Sequence, residues 1–179
     1  GRAIATALSR QSIQVAICDI NLAAAEQTAA EIGNGATAYA IDVRKRASVE
    51  ATFSEVVERT GGYEILCANA GVSTMQHALE LTDEEWDYNF DVNIRGIFLS
   101  NQVAARRFTS IGTGVIVNTA SLAAKIGAPL LASGAGHDAA ILAGPVVNLH
   151  VGVEPARFQA GDEVVVDRHV PADAGEMNE

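Results

Sequence analysis

Apolar residues in this chain fall into two rhythms. Short β-branched runs alternate with longer stretches where apolar positions recur every three or four residues. Ile13-Gln14-Val15-Ala16-Ile17-Cys18, Thr37 to Ile41, Ile65-Leu66-Cys67-Ala68 and Val115-Ile116-Val117-Asn118-Thr119 are the runs, so strands are expected near 13–18, 36–41, 64–68 and 114–119. Ile4 and Leu8, one turn apart, predict a helix over Ala3 to Gln11. A second helix carries the stripe Leu22, Ala25, Ala29 and Ile32; Asn21 is its cap and Gly33-Asn34-Gly35 its stop. Ser48 is read as the N-cap of a third, bearing Val49, Phe53, Val56 and Val57 and ending by Gly61-Gly62. Thr82-Asp83-Glu84-Glu85 has the form of a capping box. It opens a long helix whose apolar rhythm runs from Trp86 through Phe90, Ile94, Ile97, Phe98 and Val103 to about Phe108. Strands alternating with helices of this length predict a three-layer α/β domain of Rossmann type, a parallel sheet with helices on both faces.

The rhythm changes near Ala132. Residues 1–132 read as the α/β domain and 133–179 as a divergent tail. In the tail, Pro145 to Val151 and Glu163 to Val166 are expected strands, and Asp173 to Glu179 an acidic frayed end. The other end is also unusual. Gly1-Arg2-Ala3-Ile4-Ala5 opens directly into a helix, and the expectation is a sheet lacking its first strand, with two neighbours left with unpaired edges.

Composition narrows the function. The chain has 179 residues, 49% of them hydrophobic, enough for one domain with a real core. No apolar run approaches the ~20 residues that span a bilayer. A formal charge of −10 argues against nucleic acid or an anionic membrane as partner. Cys18 and Cys67 lie in apolar runs and read as small buried thiols of a cytoplasmic protein.

The candidate chemistry collects at strand ends. In an open α/β sheet, ligands sit beyond the carboxyl ends of the strands. Here those ends carry Asp19, Asp42, Asn69-Ala70-Gly71 and, after the fourth strand, Ser121. A carboxylate at Asp19 can accept from both hydroxyls of an adenine ribose and would repel a 2′-phosphate, which favours NAD over NADP. Glycine and alanine after Asn69 let a ligand approach the backbone. Of the glycine-rich phosphate turn only Gly1 is a candidate. Ser121, His137 and Asp138 do not make a hydrolase triad: His137 and Asp138 are adjacent, and Ser121 has no Gly-x-Ser-x-Gly elbow. His137, Asp138, His150 and His169 match no metal-ligand spacing, so no metal is expected.

Gly1-Arg2-Ala3-Ile4-Ala5, Asp42-Val43, Asn69-Ala70-Gly71, Asp91-Val92-Asn93 and Asn118-Thr119-Ala120-Ser121, in this order and at these intervals, resemble the classical short-chain dehydrogenase/reductase family. The resemblance covers Gly1 to about Ala132. It implies hydride transfer between NAD and a small alcohol or ketone. It puts Gly1 at the end of the phosphate turn, Asp19 on the adenosine ribose, Asp42-Val43 beside the adenine and Asn69-Ala70-Gly71 along the nicotinamide ribose. It makes Asn93 the helix residue holding a relay water and Ser121 the residue orienting the reacting oxygen. It also implies a homo-oligomer through the helix ending near Phe108. The family's Tyr-x-x-x-Lys, thirteen residues after the serine, falls here on Gly134 and Asp138. Without the phenol and the ammonium, the acid/base step is impaired. The alternative reading is therefore a non-catalytic nucleotide-binding or subunit-binding remnant.

Overall fold

The computed structural model describes residues 1–120 and the backbone of 149–151. Helix α1 (Arg2–Arg10) leads to strand β1 (Ala16–Asp19), α2 (Leu22–Ile32), β2 (Thr37–Ala40), α3 (Arg46–Thr60) and β3 (Ile65–Ala68). Then α4 (Asp83–Phe90) runs through a π-helical stretch (Asp91–Gly96) into α5 (Ile97–Ile111), followed by β4 (Gly114–Asn118) and β5 (Leu149–Val151). Helices alternate with parallel strands, as the two rhythms required.

β1 pairs with β2 in parallel, Ala16 opposite Thr37 and Asp19 opposite Ala40. β3 pairs with β4 in parallel, Ile65 opposite Val115 and Ala68 opposite Asn118. β5 lies antiparallel on the other side of β4. Among the described residues no strand stands between β1 and β3. A cleft of about 960 Å³ opens there, lined by both strand edges and by α1.

The core explains the spacing of the apolar residues. Val49 and Phe53 of α3 meet Leu99, Ala104 and Phe108 of α5 and Ile116 of β4, with Cys18 and Leu66 packed against them. Phe108 and Val49 are wholly buried, and full burial of a side chain of that size contributes about 1.5–3 kcal/mol. Tyr63 stands edge-on between Phe53 (5.4 Å) and Phe108 (5.5 Å), tying the approach to β3 to both helices. α1 and α2 pack together, and α2 covers β1 and β2.

Local chemistry sets the ends. Asn21 Oδ1 accepts the Ala24 N–H at 3.2 Å, and Gly33, Asn34 and Gly35 take φ of 62°, 52° and 72°, closing α2 in the left-handed region. Thr82 and Glu85 exchange both bonds of the capping box, at 3.2 and 3.0 Å. Ser48 is not a cap: α3 begins two residues earlier, and the Ser48 hydroxyl accepts the Asp42 N–H at 2.9 Å instead. β1 starts at Ala16, later than the apolar run suggests. The long helix continues to Ile111. Of the expected strand Pro145 to Val151, Leu149–Val151 is a strand; the rest, with Glu163 to Val166, lies outside the described residues.

Candidate functional site

The carboxyl ends of β1, β2 and β3 open onto one rim. Gly1, Asp19, Asp42, Val43, Asn69, Ala70 and Gly71 all line the same cleft, although they come from four separate stretches of chain. Asn93 is buried beneath the rim (8% exposed), and its carboxamide bonds the backbone. Its Oδ1 accepts the Val72 N–H and its Nδ2 donates to the Val72 carbonyl, both at 2.8 Å. Ser121, Gly134 and Asp138 lie outside the described residues, as do His137 and His169. His150 is on β5.

Asp19 is exposed at the end of β1, and its Oδ1 accepts the Asn21 N–H at 2.9 Å. This turn fixes the carboxylate at the entrance to α2. Asn69 Oδ1 accepts the Thr119 hydroxyl at 3.0 Å, a bond between the ends of β3 and β4. A methyl on Gly1 would stand 3.5 Å from Asn69 Nδ2, so α1 starts beside the end of β3.

Asp42 is the most constrained group on the rim. Arg44 grips it in a fork, Nε to Oδ1 and Nη2 to Oδ2, each at 2.8 Å. The Arg44 N–H adds a bond to Oδ1 at 3.2 Å, and Lys45 Nζ lies 3.4 Å from Oδ2. The Arg44 side-chain bond is the main cause that holds the Asp42 carboxyl well below the usual carboxylate range. Two thiols line the cleft behind the rim. Burial pushes Cys18 up to about 12, with Glu55 adding to the effect, and burial also raises Cys67.

Two asparagines fix the segment that leaves β3. Asn93 holds Val72. Asn89, one turn earlier and 1% exposed, accepts the Thr74 N–H at 3.3 Å and donates to the Thr74 hydroxyl at 2.6 Å. The π-helical stretch begins at Asp91, two residues after Asn89, and contains Asn93; such distortions are common at functional sites. Gly96 ends it, and a Cβ there would stand 2.7 Å from Val43 Cγ2. The absent side chain is what lets the exit of β2 rest on the helix. Sequence reasoning missed Arg44, Asn89 and Gly96. An arginine two residues past a strand-end aspartate, and two asparagines four apart on one helix, are the patterns that carry them.

Comparison with known proteins adds the following. The short chain dehydrogenase family matches residues 1–136. A sorbitol dehydrogenase of Cereibacter sphaeroides is 41% identical over 132 residues, 73% of this chain and 52% of that protein. A D-threitol dehydrogenase of Mycolicibacterium smegmatis is 37% identical over 129 residues, 70% of this chain and 50% of that protein. The chain thus spans about half the length of the curated relatives it matches. Among solved structures, a 3-ketoacyl-(acyl-carrier-protein) reductase of Brucella melitensis complexed with NADH superposes with a TM-score of 0.74 at 31% identity, over 80% of this chain and 62% of that one. Among the described residues no helix is long and apolar enough to cross a membrane.

Proposed function

The chain belongs to the short-chain dehydrogenase family, and on that premise we propose that its rim binds a nicotinamide adenine dinucleotide, NAD in preference to NADP. We further propose a reaction for the protein it represents, hydride transfer between that cofactor and a small secondary alcohol or ketone. The observation that carries the reading is the convergence of Asp19, Asp42, Val43 and Asn69 to Gly71 on one cleft, with Gly1 beside Asn69.

The residues present fit such a cofactor. The carboxyl end of the cleft is lined by Asp19, Asp42, Val43 and Asn69 to Gly71 together. A carboxylate stands at the β1 end, where ribose hydroxyls would find an acceptor and a 2′-phosphate would meet like charge. Gly71 has no side chain to hold a ligand off the backbone, and a Cβ there would press on Asn93 Oδ1 at 3.3 Å. Bound there, the nicotinamide would supply the hydride acceptor or donor. Asp19 would hold the adenosine ribose, Asp42 and Val43 the adenine end, and Asn69 to Gly71 the nicotinamide ribose. Asn93 would hold a water in a proton relay. Ser121 would hydrogen-bond the reacting oxygen. Relatives named for sorbitol and D-threitol support a polyol as the alcohol. Phe98, 55% exposed on α5, supports self-association through that helix, and two free thiols support a cytoplasmic location.

A second reading has its own observation. Gly134 and Asp138 stand where the family's tyrosine and lysine belong, which favours nucleotide binding without turnover. Titration with NADH, followed by quenching of Trp86, the single tryptophan, tests what the two readings share. Saturable binding, tighter than for NADPH and with that gap narrowed by Asp19→Asn, is expected; no saturable change with either nucleotide overturns both. Reduction of NAD in the presence of sorbitol or threitol then separates them: turnover supports the dehydrogenase, and binding without turnover supports the remnant.

A further inference from the structure

We propose that the cleft between β1 and β3 is a strand slot, and that the segment Glu163-Val164-Val165-Val166 of this chain fills it, running parallel to both neighbours. The inference is independent of the nucleotide reading. Hydrogen bonds to the outer strands tell which main-chain groups face the cleft. Val15 and Asp19 turn their carbonyls to β2, accepting from the Thr37 and Ile41 N–H groups at 3.0 Å each. Glu64 and Ala68 turn theirs to β4, accepting from Val115 at 2.8 Å and from Thr119 at 3.0 Å. In a parallel ladder both main-chain groups of a residue point to one side, and successive residues alternate. The N–H and C=O groups of Ala16, Cys18, Ile65 and Cys67 therefore point into the cleft that these residues line. Such groups demand partners. One extended segment between the two edges supplies both at the ordinary strand spacing of about 4.8 Å.

The walls define the segment. Ala5 and Leu8 of α1 with Ala25 of α2 give one apolar wall, and Phe53 of α3 with Ile97 of α5 gives another. A strand covered on both faces reads as an unbroken apolar run rather than an alternating one. Val164-Val165-Val166 is the one run of three β-branched residues in 121–148 and 152–179, the stretches outside the described residues. Asp162-Glu163 before it and Asp167-Arg168 after it keep charge at its two ends, where a strand crossing the sheet meets solvent. Residues 163–166 also match β1 (Ala16–Asp19) and β3 (Ile65–Ala68) in length. The chain path allows the placement. β5 is antiparallel to β4, with Val151 opposite Gly114, so it ends at the amino edge of the sheet, where a strand parallel to β1 and β3 must start. From β5 past β4 and β3 to the slot is about 14 Å at ordinary strand spacing. Residues 152–162 span up to about 36 Å when extended. A strand ending at Val166 leaves the rim clear, because ligands of such sheets lie beyond the strand ends.

Amide hydrogen exchange of the full chain, read by NMR with sedimentation giving its mass, makes the test. The amides of Ala16, Cys18, Ile65 and Cys67 are expected to exchange at least about tenfold slower in wild type than in Val165→Asp. Val165→Ile and Val170→Asp should keep that protection. The Thr37 and Val115 amides, bonded within their own strand pairs, report the fold and should stay protected in every variant. Nuclear Overhauser contacts should join residues 164–166 to both cleft edges in a monomer. Cleft amides that exchange as fast in wild type as in Val165→Asp overturn the proposal. So do contacts to 164–166 that appear only in a dimer, a result that gives the slot to a second copy.

Discussion

Replacing Asn93 by alanine tests how the rim is held. Asn93 is 8% exposed and makes two 2.8 Å bonds to one residue, accepting from the Val72 N–H and donating to the Val72 carbonyl. Alanine removes both and leaves a donor and an acceptor of the main chain without their partner. Each such group costs about 1–3 kcal/mol when buried. Val72 is only part-buried, which brings in the lower half of that range and gives a total of about 2–4 kcal/mol. Urea unfolding is the assay, with an unchanged m-value required before the midpoint shift is read as stability. Amide exchange at Val72 should accelerate in parallel, because its N–H loses the bond that protects it. Asn93→Asp separates the two halves. It can still accept from the N–H, yet it turns a carboxylate oxygen toward the Val72 carbonyl, so it should be at least as destabilising as alanine above the carboxylate's titration range. A loss under about 0.5 kcal/mol for Asn93→Ala, the range of surface substitutions, or Val72 exchange equal to wild type, would refute the clamp.

Other substitutions probe neighbouring parts of the account. Gly96→Ala forces a methyl to 2.7 Å from Val43 Cγ2; overpacking of this kind costs about 1–3 kcal/mol, and a thermal melt with NADH titration should show lower stability together with weaker binding. Thr82→Ala removes the hydroxyl that accepts the Glu85 N–H and should cost about 1 kcal/mol, read by urea unfolding, with NADH affinity unchanged. Cys18, pushed from its usual 9.0 to about 12 in the fold, stays protonated where the unfolded thiol ionises. Its contribution to stability is therefore complete below pH 9.0 and is lost as pH rises through about 12. Melts across that range should flatten in Cys18→Ala, and the native thiol should resist iodoacetamide at pH 8 until denaturant is added.

The parts legible in the sequence are those with a local physical cause. Alternation of β-branched runs with amphipathic stretches fixes β1 to β4 and the helices between them, because each period buries one face. Asn21 and Thr82 announce their caps because a short polar side chain before an apolar stripe has one favourable use. Strand-end residues were legible as a group: a polar or small residue after an apolar run belongs at the edge of a sheet. Ser48 shows the limit. The residue type suits a cap, but the competing donor, the Asp42 N–H six residues earlier, becomes visible only once β2 turns into α3. The same holds for Arg44, whose role depends on doubling back onto Asp42, and for the π-helical stretch, which a 3.6-residue rhythm from Trp86 to Phe108 passes over. Ser121 and the tail after Ala132, apart from Leu149–Val151, lie outside the described residues.

The most direct measurement is a heteronuclear NMR titration of isotopically labelled protein with NADH, following backbone amides. The account requires saturable shifts confined to the rim, at Asp19, Val43, Asn69, Gly71 and their neighbours, with the α2 and α3 amides that face solvent unmoved. Shifts that never saturate, or that gather on a surface away from those strand ends, would contradict it.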